Sequence, residues 1–158
     1  MNWLPKFLIF LFMALPACSG VDSVTKKRWS NSENTISIVD MTSKDFRLMD
    51  AGSRLQGEIE ENLSMTGYVL AGKNARYHLK YKVMEFDEGN RMARIATMGM
   101  SDSAKAKLRV KAALYDRGDM VGAWEVDSWV SGGVTGGSED HLYESIAKEI
   151  ADHLRGDY

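Results

Sequence analysis

Apolar and polar residues alternate along two stretches that a short turn joins. The first stretch runs from position 105 to 114 and the second from 124 to 130. Alternation with a period of two is typical of strands that bury one face. A register that buries Trp124 beside Ala112 requires paired residue numbers with an even sum. We therefore predict a hairpin with a three-residue loop that contains Gly118.

The same register predicts how the charges of this hairpin are arranged. It places Glu125 and Asp127 opposite a row formed by Lys107, Arg109 and Lys111. Opposite charges that face each other on neighbouring strands attract. We expect a paired solvent face here, and not a docking site.

Three further stretches have the composition of strands. Residues 35–39 are rich in β-branched side chains, residues 68–70 follow a helical segment, and residues 77–86 alternate apolar with polar positions. Residues 88–90 have the composition of a turn, and residues 91–98 are a weaker candidate for a returning strand.

Two segments repeat apolar residues at helical spacing. The first segment contains Leu48, Leu55, Ile59 and Leu63. The second contains Leu142, Ile146, Ile150 and Leu154. Such spacing places the apolar residues on one face of a helix. Gly67 suits the left-handed position after the first helix, and Ser138 is a candidate cap for the second.

The order of these elements predicts an α+β fold. Two amphipathic helices would cover one face of a mainly antiparallel sheet of about five strands, which makes a two-layer sandwich. Residues 35–158 are long enough for a single globular domain with a core. The glycine-rich residues 132–137 are interpreted as a hinge between the last strand and the last helix.

The beginning of the chain has a different pattern. One positive charge, Lys6, precedes an apolar stretch at residues 7–15, and small residues follow. This is the order of a secretory signal. The stretch is shorter than the roughly 20 residues that a membrane-spanning helix needs. We therefore interpret residues 1–17 as a cleaved signal peptide.

The four residues Leu15, Pro16, Ala17 and Cys18 resemble the lipobox of bacterial lipoproteins. The resemblance implies cleavage before Cys18 and a diacylglyceryl thioether on its sulfur, with further acylation such as palmitate. An ordinary signal peptide with a chance cysteine is the alternative. Cys18 is the only cysteine, and a lone thiol is a liability in an oxidising compartment. Ser19 at the next position favours the outer membrane, facing the periplasm.

Residues 18–34 are polar and lack apolar periodicity, so they predict a flexible, lipidated tether. Within the tether, Lys26, Lys27, Arg28 and Trp29 form a basic run beside an aromatic residue. Such a run can contact anionic lipid head groups. A merely solvated linker is the alternative, and the sequence does not separate the two.

Several small-residue markers resemble the DUF4410 family of bacterial lipoproteins. They comprise Arg91, Arg94, Met98-Gly99-Met100, Ala104-Lys105-Ala106, Leu114-Tyr115-Asp116, Gly118, Gly132-Gly133 and Gly136-Gly137. The likeness covers roughly residues 36–154 and includes the last helix. It implies an envelope lipoprotein without an assigned activity, and it carries no catalytic residues.

Composition and motifs limit the candidate chemistry. A net charge of −2 at pH 7 gives no electrostatic case for binding nucleic acid. The stretch Gly99-Met100-Ser101-Asp102-Ser103 lacks the second glycine of a nucleophile elbow. His78, His141 and His153 have no metal-ligand spacing. Met84, Met92, Met98 and Met100 could select Cu(I), although methionine is more often core filler.

These observations together predict a function. We expect a lipid-anchored, non-enzymatic domain with no cofactor, which binds an envelope protein or associates with itself. An exposed strand edge could accept a partner strand. A periplasmic small-ligand or copper binder, or an unrecognised enzyme, is the alternative.

Overall fold

Six strands form one mixed sheet in the computed structural model. Residues 18–27, 34–89, 105–131 and 138–156 are described. The strands are β1 (Cys18–Lys27), β2 (Thr35–Asp40), β3 (Val69–Leu70), β4 (Tyr77–Asp87), β5 (Ala106–Asp116) and β6 (Asp119–Ser131). The helices are α1 (Phe46–Met65) and α2 (Asp140–Arg155), and a 3-10 turn spans Gly72–Asn74.

The strand order across the sheet is β1-β6-β5-β4-β2-β3. The pairs β1–β6, β6–β5 and β5–β4 are antiparallel, whereas β2 runs parallel to β3 and β4. The predicted α+β fold is confirmed. The described part has six strands where about five were predicted, because β1 was not recognised.

Both helices cover the same face of this sheet. The apolar residues predicted for α1 and α2 are buried, apart from the half-buried Leu48, and they pack on the inward positions of β4, β5 and β6. Trp124, Tyr81 and Tyr143 are the largest fully buried side chains. Burial of apolar surface at about 25 cal/mol per Å² is the main term that holds the two layers together.

The helix ends follow local chemistry. Asp45 caps α1, since its Oδ1 accepts a hydrogen bond from the Arg47 amide at 3.1 Å. Gly67 follows α1 with φ +86°, the left-handed conformation that the sequence predicted. Ser138 caps the start of α2, as the sequence predicted: its Oγ accepts a hydrogen bond from the Asp140 amide at 3.2 Å. Glu139, the residue directly before α2, makes no capping hydrogen bond with its side chain.

The β5–β6 hairpin has the predicted register but a different loop. Ala112 pairs with Trp124 and Val110 with Val126, so paired numbers have an even sum. The loop, however, has two residues, Arg117 and Gly118, both with positive φ. Positive φ at both positions is the requirement of a type I′ turn. A register shift after Leu114 restores the even sum, so the predicted three-residue loop was wrong.

The prediction of a flexible tether at residues 18–34 was wrong for its first ten residues. Cys18–Lys27 forms strand β1 along the edge of the sheet, paired with β6. Two of its inward side chains, Ser23 and Thr25, are polar and meet polar partners on α2. Ser23 Oγ donates to Glu149 at 2.6 Å, and Thr25 Oγ1 lies 3.0 Å from His153 Nε2. A polar edge strand of this kind shows no apolar alternation.

Four predictions fall on residues outside the described part. They concern the signal peptide at residues 1–17, the rest of the tether from residue 28 to 33, the returning strand at 91–98 and the hinge at 132–137.

Candidate functional site

The face of the sheet opposite the helices is the candidate functional site, and we call it the open face. Lys82 on β4 pairs directly with Lys111 on β5. Both side chains point away from the core and are exposed. Like charges directly opposite each other destabilise a sheet. Contacts among the described residues therefore do not explain this pair.

One carboxylate lies close to this lysine pair. Glu125 on β6 is 4.0 Å from the Lys111 amine and 3.7 Å from the Lys26 amine. Within the described residues, Lys82 makes no ion pair. Among the described residues, Glu125 therefore lies close to two lysines, Lys26 and Lys111. The charge of Lys82 has no such counterpart there.

The next row of the open face is arranged differently. Arg109 Nε donates to Asp127 at 2.5 Å, and its guanidinium lies 3.4 Å from Glu85. These carboxylates raise the pKa of Arg109, the hydrogen bond with Asp127 being the largest cause. The predicted pairing between β5 and β6 is thus confirmed at Arg109 and is looser at Lys111. The expectation of a fully paired face did not take β4 into account.

A shallow depression of about 460 Å³ lies over the lysine pair. Ala113 and Ala123 pair across β5 and β6, and their short side chains leave this space open. Its charged lining consists of Lys26, Lys80, Lys82, Lys111 and Glu125. Tyr115 forms one wall, and the Lys80 amine lies 4.4 Å from the centre of its ring. A cation over an aromatic ring is stabilised by the negative ring face.

The helix layer has the opposite charge. Its two helices contain eight acidic and four basic residues. Burial raises the pKa of Glu58, and repulsion from Glu144 and Glu61 raises it further. Arg54 is already engaged, since it binds Glu139 at 2.5 Å and Asp140 at 2.8 Å. The lysine-lined depression and the helix layer therefore differ in the sign of their charge.

Three of the predicted site residues, Cys18, Lys26 and Lys27, lie on β1. Cys18 is the first residue of the strand and pairs with Ser131. Lys26 contacts Glu125 on the open face, and the Lys27 amine donates to the Met120 carbonyl. Arg28 and Trp29 lie outside the described residues. At about 3.3 Å per residue, Lys26 is roughly 26 Å from Cys18. The membrane contact stays a prediction, and it requires β1 to lie along the bilayer surface.

A buried polar cluster joins β1 to α2, and sequence analysis missed it. His153 Nε2 lies 3.0 Å from Thr25 Oγ1, and His153 Nδ1 lies 2.8 Å from the Glu149 backbone carbonyl and 3.5 Å from the Glu149 carboxylate. A hydroxyl, an imidazole and a carboxylate in series are typical of nucleophilic catalysis. His153 is only 1% exposed, however, and its ring packs edge-on against Trp124 at 5.5 Å. We therefore interpret the cluster as the attachment of β1 to α2.

No group of three or more His, Cys, Asp or Glu residues suitable for a metal ion occurs in the described part of the chain. Of the methionines considered for copper, Met84 is partly exposed, and Met92, Met98 and Met100 fall in the segment 90–104, which is not described. Neither described helix is long and apolar enough to cross a bilayer.

No family model and no curated protein matches the chain, so the resemblance to DUF4410 is not confirmed. Among solved structures, the PelC dodecamer from Paraburkholderia phytofirmans is similar, with 16% identity, a TM-score of 0.56, and coverage of 87% of this chain and 98% of that one. A minor lipoprotein from Acinetobacter baumannii is 12% identical, with coverage of 78% and 91% and a TM-score of 0.47.

A DUF330 protein from Xanthomonas campestris is 11% identical, with coverage of 84% of this chain and 91% of that one and a TM-score of 0.47. Structural similarities with a TM-score of 0.47 are too weak to support an argument. The likeness to the PelC subunit is stronger, although its low identity limits the conclusion to architecture. The chain therefore shares its fold with a subunit of the PelC dodecamer.

Proposed function

We propose that this chain is a lipoprotein of the bacterial envelope, anchored through a lipid on Cys18, whose folded domain acts by binding and self-association and not by catalysis. One observation carries the proposal: the sheet begins at Cys18 itself. A lipid on that residue would hold the domain directly at the bilayer, without a flexible spacer.

Direct anchoring changes what weak contacts can achieve. Two or more acyl chains bind a protein to a membrane stably, whereas one is marginal. Confinement to a surface raises the effective concentration of neighbouring copies. Contacts between copies that would be too weak in solution can then suffice. Ser19 after the anchor supports an outer-membrane location that faces the periplasm.

The fold supports self-association in particular. The solved PelC structure that shares this fold is a dodecamer. In this chain, the open face is not covered by either helix and carries the lysine pair described above. A second copy of the chain is therefore the first partner that we propose, and another envelope protein is the second.

Metabolic labelling tests the anchor. Cells that express the chain are grown with an alkyne analogue of palmitate, and the protein is separated into membrane and soluble fractions. We expect label and membrane location for the native chain and for Ser23→Ala, a control on the same strand. Cys18→Ala should lose both. Equal labelling and location of Cys18→Ala and the native protein would contradict the proposed anchor.

A second candidate function is binding of a small anion, and the lysine-lined depression favours it. Its volume of about 460 Å³ is within the range of small-molecule sites. Titration of the native protein with inorganic pyrophosphate in a calorimeter tests this function. Saturable heat that Lys82→Ala abolishes would support it, and absence of heat would contradict it.

A further inference from the structure

We infer that the open face of one subunit binds the helix layer of the next in a head-to-tail contact. This inference rests on the proposed self-association and names the two surfaces that would form it. The basic docking surface is the lysine-lined depression of the open face. The helix layer of a second copy is the acidic partner.

The first step of the argument is the charge of the open face. β4, β5 and β6 place five basic residues on this face, namely Lys80, Lys82, Lys107, Arg109 and Lys111. They place four acids there, which are Glu85, Asp87, Glu125 and Asp127. The chain as a whole has a charge of −2. The charges of the whole face are therefore nearly balanced, and the basic excess lies at the depression, where Lys26, Lys80, Lys82 and Lys111 surround Glu125.

The second step is the charge of the helix layer. Glu61 and Glu144 are exposed. Glu61 lies one turn after Glu58 on α1, and α2, which carries Glu144, packs against α1. Glu58 and Glu61 make no ion pair within the described residues, and Glu144 lies 3.8 Å from His141. Burial and the repulsion from Glu144 and Glu61 raise the pKa of Glu58, in agreement with this arrangement. A basic surface placed over these acids would relieve their repulsion. The lysine pair of another copy has the complementary charge.

Symmetry then selects between the ways in which two copies could meet. A two-fold contact centred on the depressions of two open faces would bring lysines against lysines, and one between two helix layers would bring acids against acids. Like charges across an interface disfavour both arrangements. The remaining face-to-face contact joins the open face of one copy to the helix layer of another. It is heterologous, so each subunit keeps one free surface of each kind.

The anchor limits how such contacts can repeat. Heterologous contacts form a ring if the rotation closes and a filament if it does not. A ring with its axis perpendicular to the bilayer places every Cys18 at the same height. A helical filament would carry most anchors away from the membrane. A closed ring on the membrane surface is therefore the arrangement that we infer.

A charge-reversal experiment tests this contact on the full-length protein, extracted in mild detergent. The first variant, K82E/K111E, makes the centre of the open face acidic. The second variant, E61K/E144K, makes the helix layer basic. All four side chains are exposed, so both variants should fold, which circular dichroism can check. The oligomeric mass is measured by light scattering at low ionic strength.

We expect the native protein to assemble and each variant alone to be monomeric at the same concentration. Each variant should need a protein concentration at least about 100-fold higher for assembly, because like charges then face each other in every contact. An equimolar mixture of the two variants should assemble again. In that mixture the acidic face of one variant meets the basic helices of the other. Assembly of the mixture distinguishes a direct contact from a general loss of stability.

A matched control and the opposite outcomes complete the test. K44E/K73E makes the same change in net charge as K82E/K111E, at two exposed positions outside both surfaces. It should assemble like the native protein. If both reversal variants assemble as the native protein does, or their mixture stays monomeric, the head-to-tail contact is wrong. A native protein that is monomeric at every concentration contradicts the proposed self-association itself.

Discussion

The two faces of one sheet differ in how much of their arrangement the subunit itself explains. On the covered face, Leu79, Tyr81 and Val110 are fully or almost fully buried against the helices, and each contributes to the core. On the open face, the neighbouring positions Lys80, Lys82 and Lys111 repel one another. The covered face follows from folding, whereas contacts within the described part of the chain leave the lysines of the open face unexplained.

The largest expected effect compares adjacent positions on β4 that point to opposite faces. Leu79 is 0% exposed, and Leu79→Ala removes its burial and leaves a cavity. We expect it to lower the free energy of unfolding by about 2–5 kcal/mol. Lys80→Ala, the matched change on the open face, should alter it by less than about 1 kcal/mol. Urea denaturation measures both, and equal losses would remove the distinction between the faces.

The second prediction concerns β1, whose residues alternate between the same two faces. Thr25→Val leaves the buried Nε2 of His153 without its hydroxyl partner, which lies at 3.0 Å. We expect a loss of about 1–3 kcal/mol, since a buried polar atom would lose its hydrogen bond. The reverse exchange, Val24→Thr, lies on the open side and should change stability by less than about 0.5 kcal/mol. Similar losses from both would show that the cluster does not attach β1.

The third prediction compares the two charged rows of the open face. Lys82→Glu converts a like-charge pair with Lys111 into an opposite-charge pair. Under conditions that keep the protein monomeric, it should raise the free energy of unfolding by about 0.2–1 kcal/mol. Arg109→Glu breaks contacts with Asp127 and Glu85 and should lower it by a similar amount. Urea denaturation measures both changes, and changes of the same sign would contradict the prediction. Addition of 0.5 M salt should reduce both effects, because it screens the charges.

The sequence predicted the covered face better than the open face, for a physical reason. Apolar periodicity identified α1, α2, β4 and the β5–β6 register, because burial requires that spacing. The pair Lys82–Lys111 depends on how β4 aligns with β5. That alignment is not fixed by a tight turn, since residues 88–105 separate the strands.

The missed strand illustrates the same limit. β1 has no apolar stripe, because Ser23 and Thr25 are held by hydrogen bonds to α2. Those partners lie 126 and 128 residues away along the chain. No local pattern reports contacts at such a distance. The charge contrast between the faces was likewise hidden, because it appears only when β4 and β5 are placed side by side.

The smallest expected effect concerns the acids of the helix layer. Burial and repulsion by Glu144 raise the pKa of Glu58 in the folded state, so the folded protein binds a proton more readily than the unfolded chain. Stability contributed by that proton is present at low pH and falls as the pH rises through the raised pKa. Glu58→Gln should therefore stabilise the monomer at pH 7, by up to about 0.5 kcal/mol after solvent screening.

This gain should disappear near pH 4, where the native carboxyl is itself protonated in the folded state. Glu61→Gln relieves the same repulsion from a more exposed position and should give a smaller gain. Thermal unfolding at pH 4 and pH 7 measures the difference. A loss of stability in Glu58→Gln at pH 7 would show that Arg54 or another cation already compensates these acids. The helix layer would then have less unneutralised charge to offer the open face of another copy.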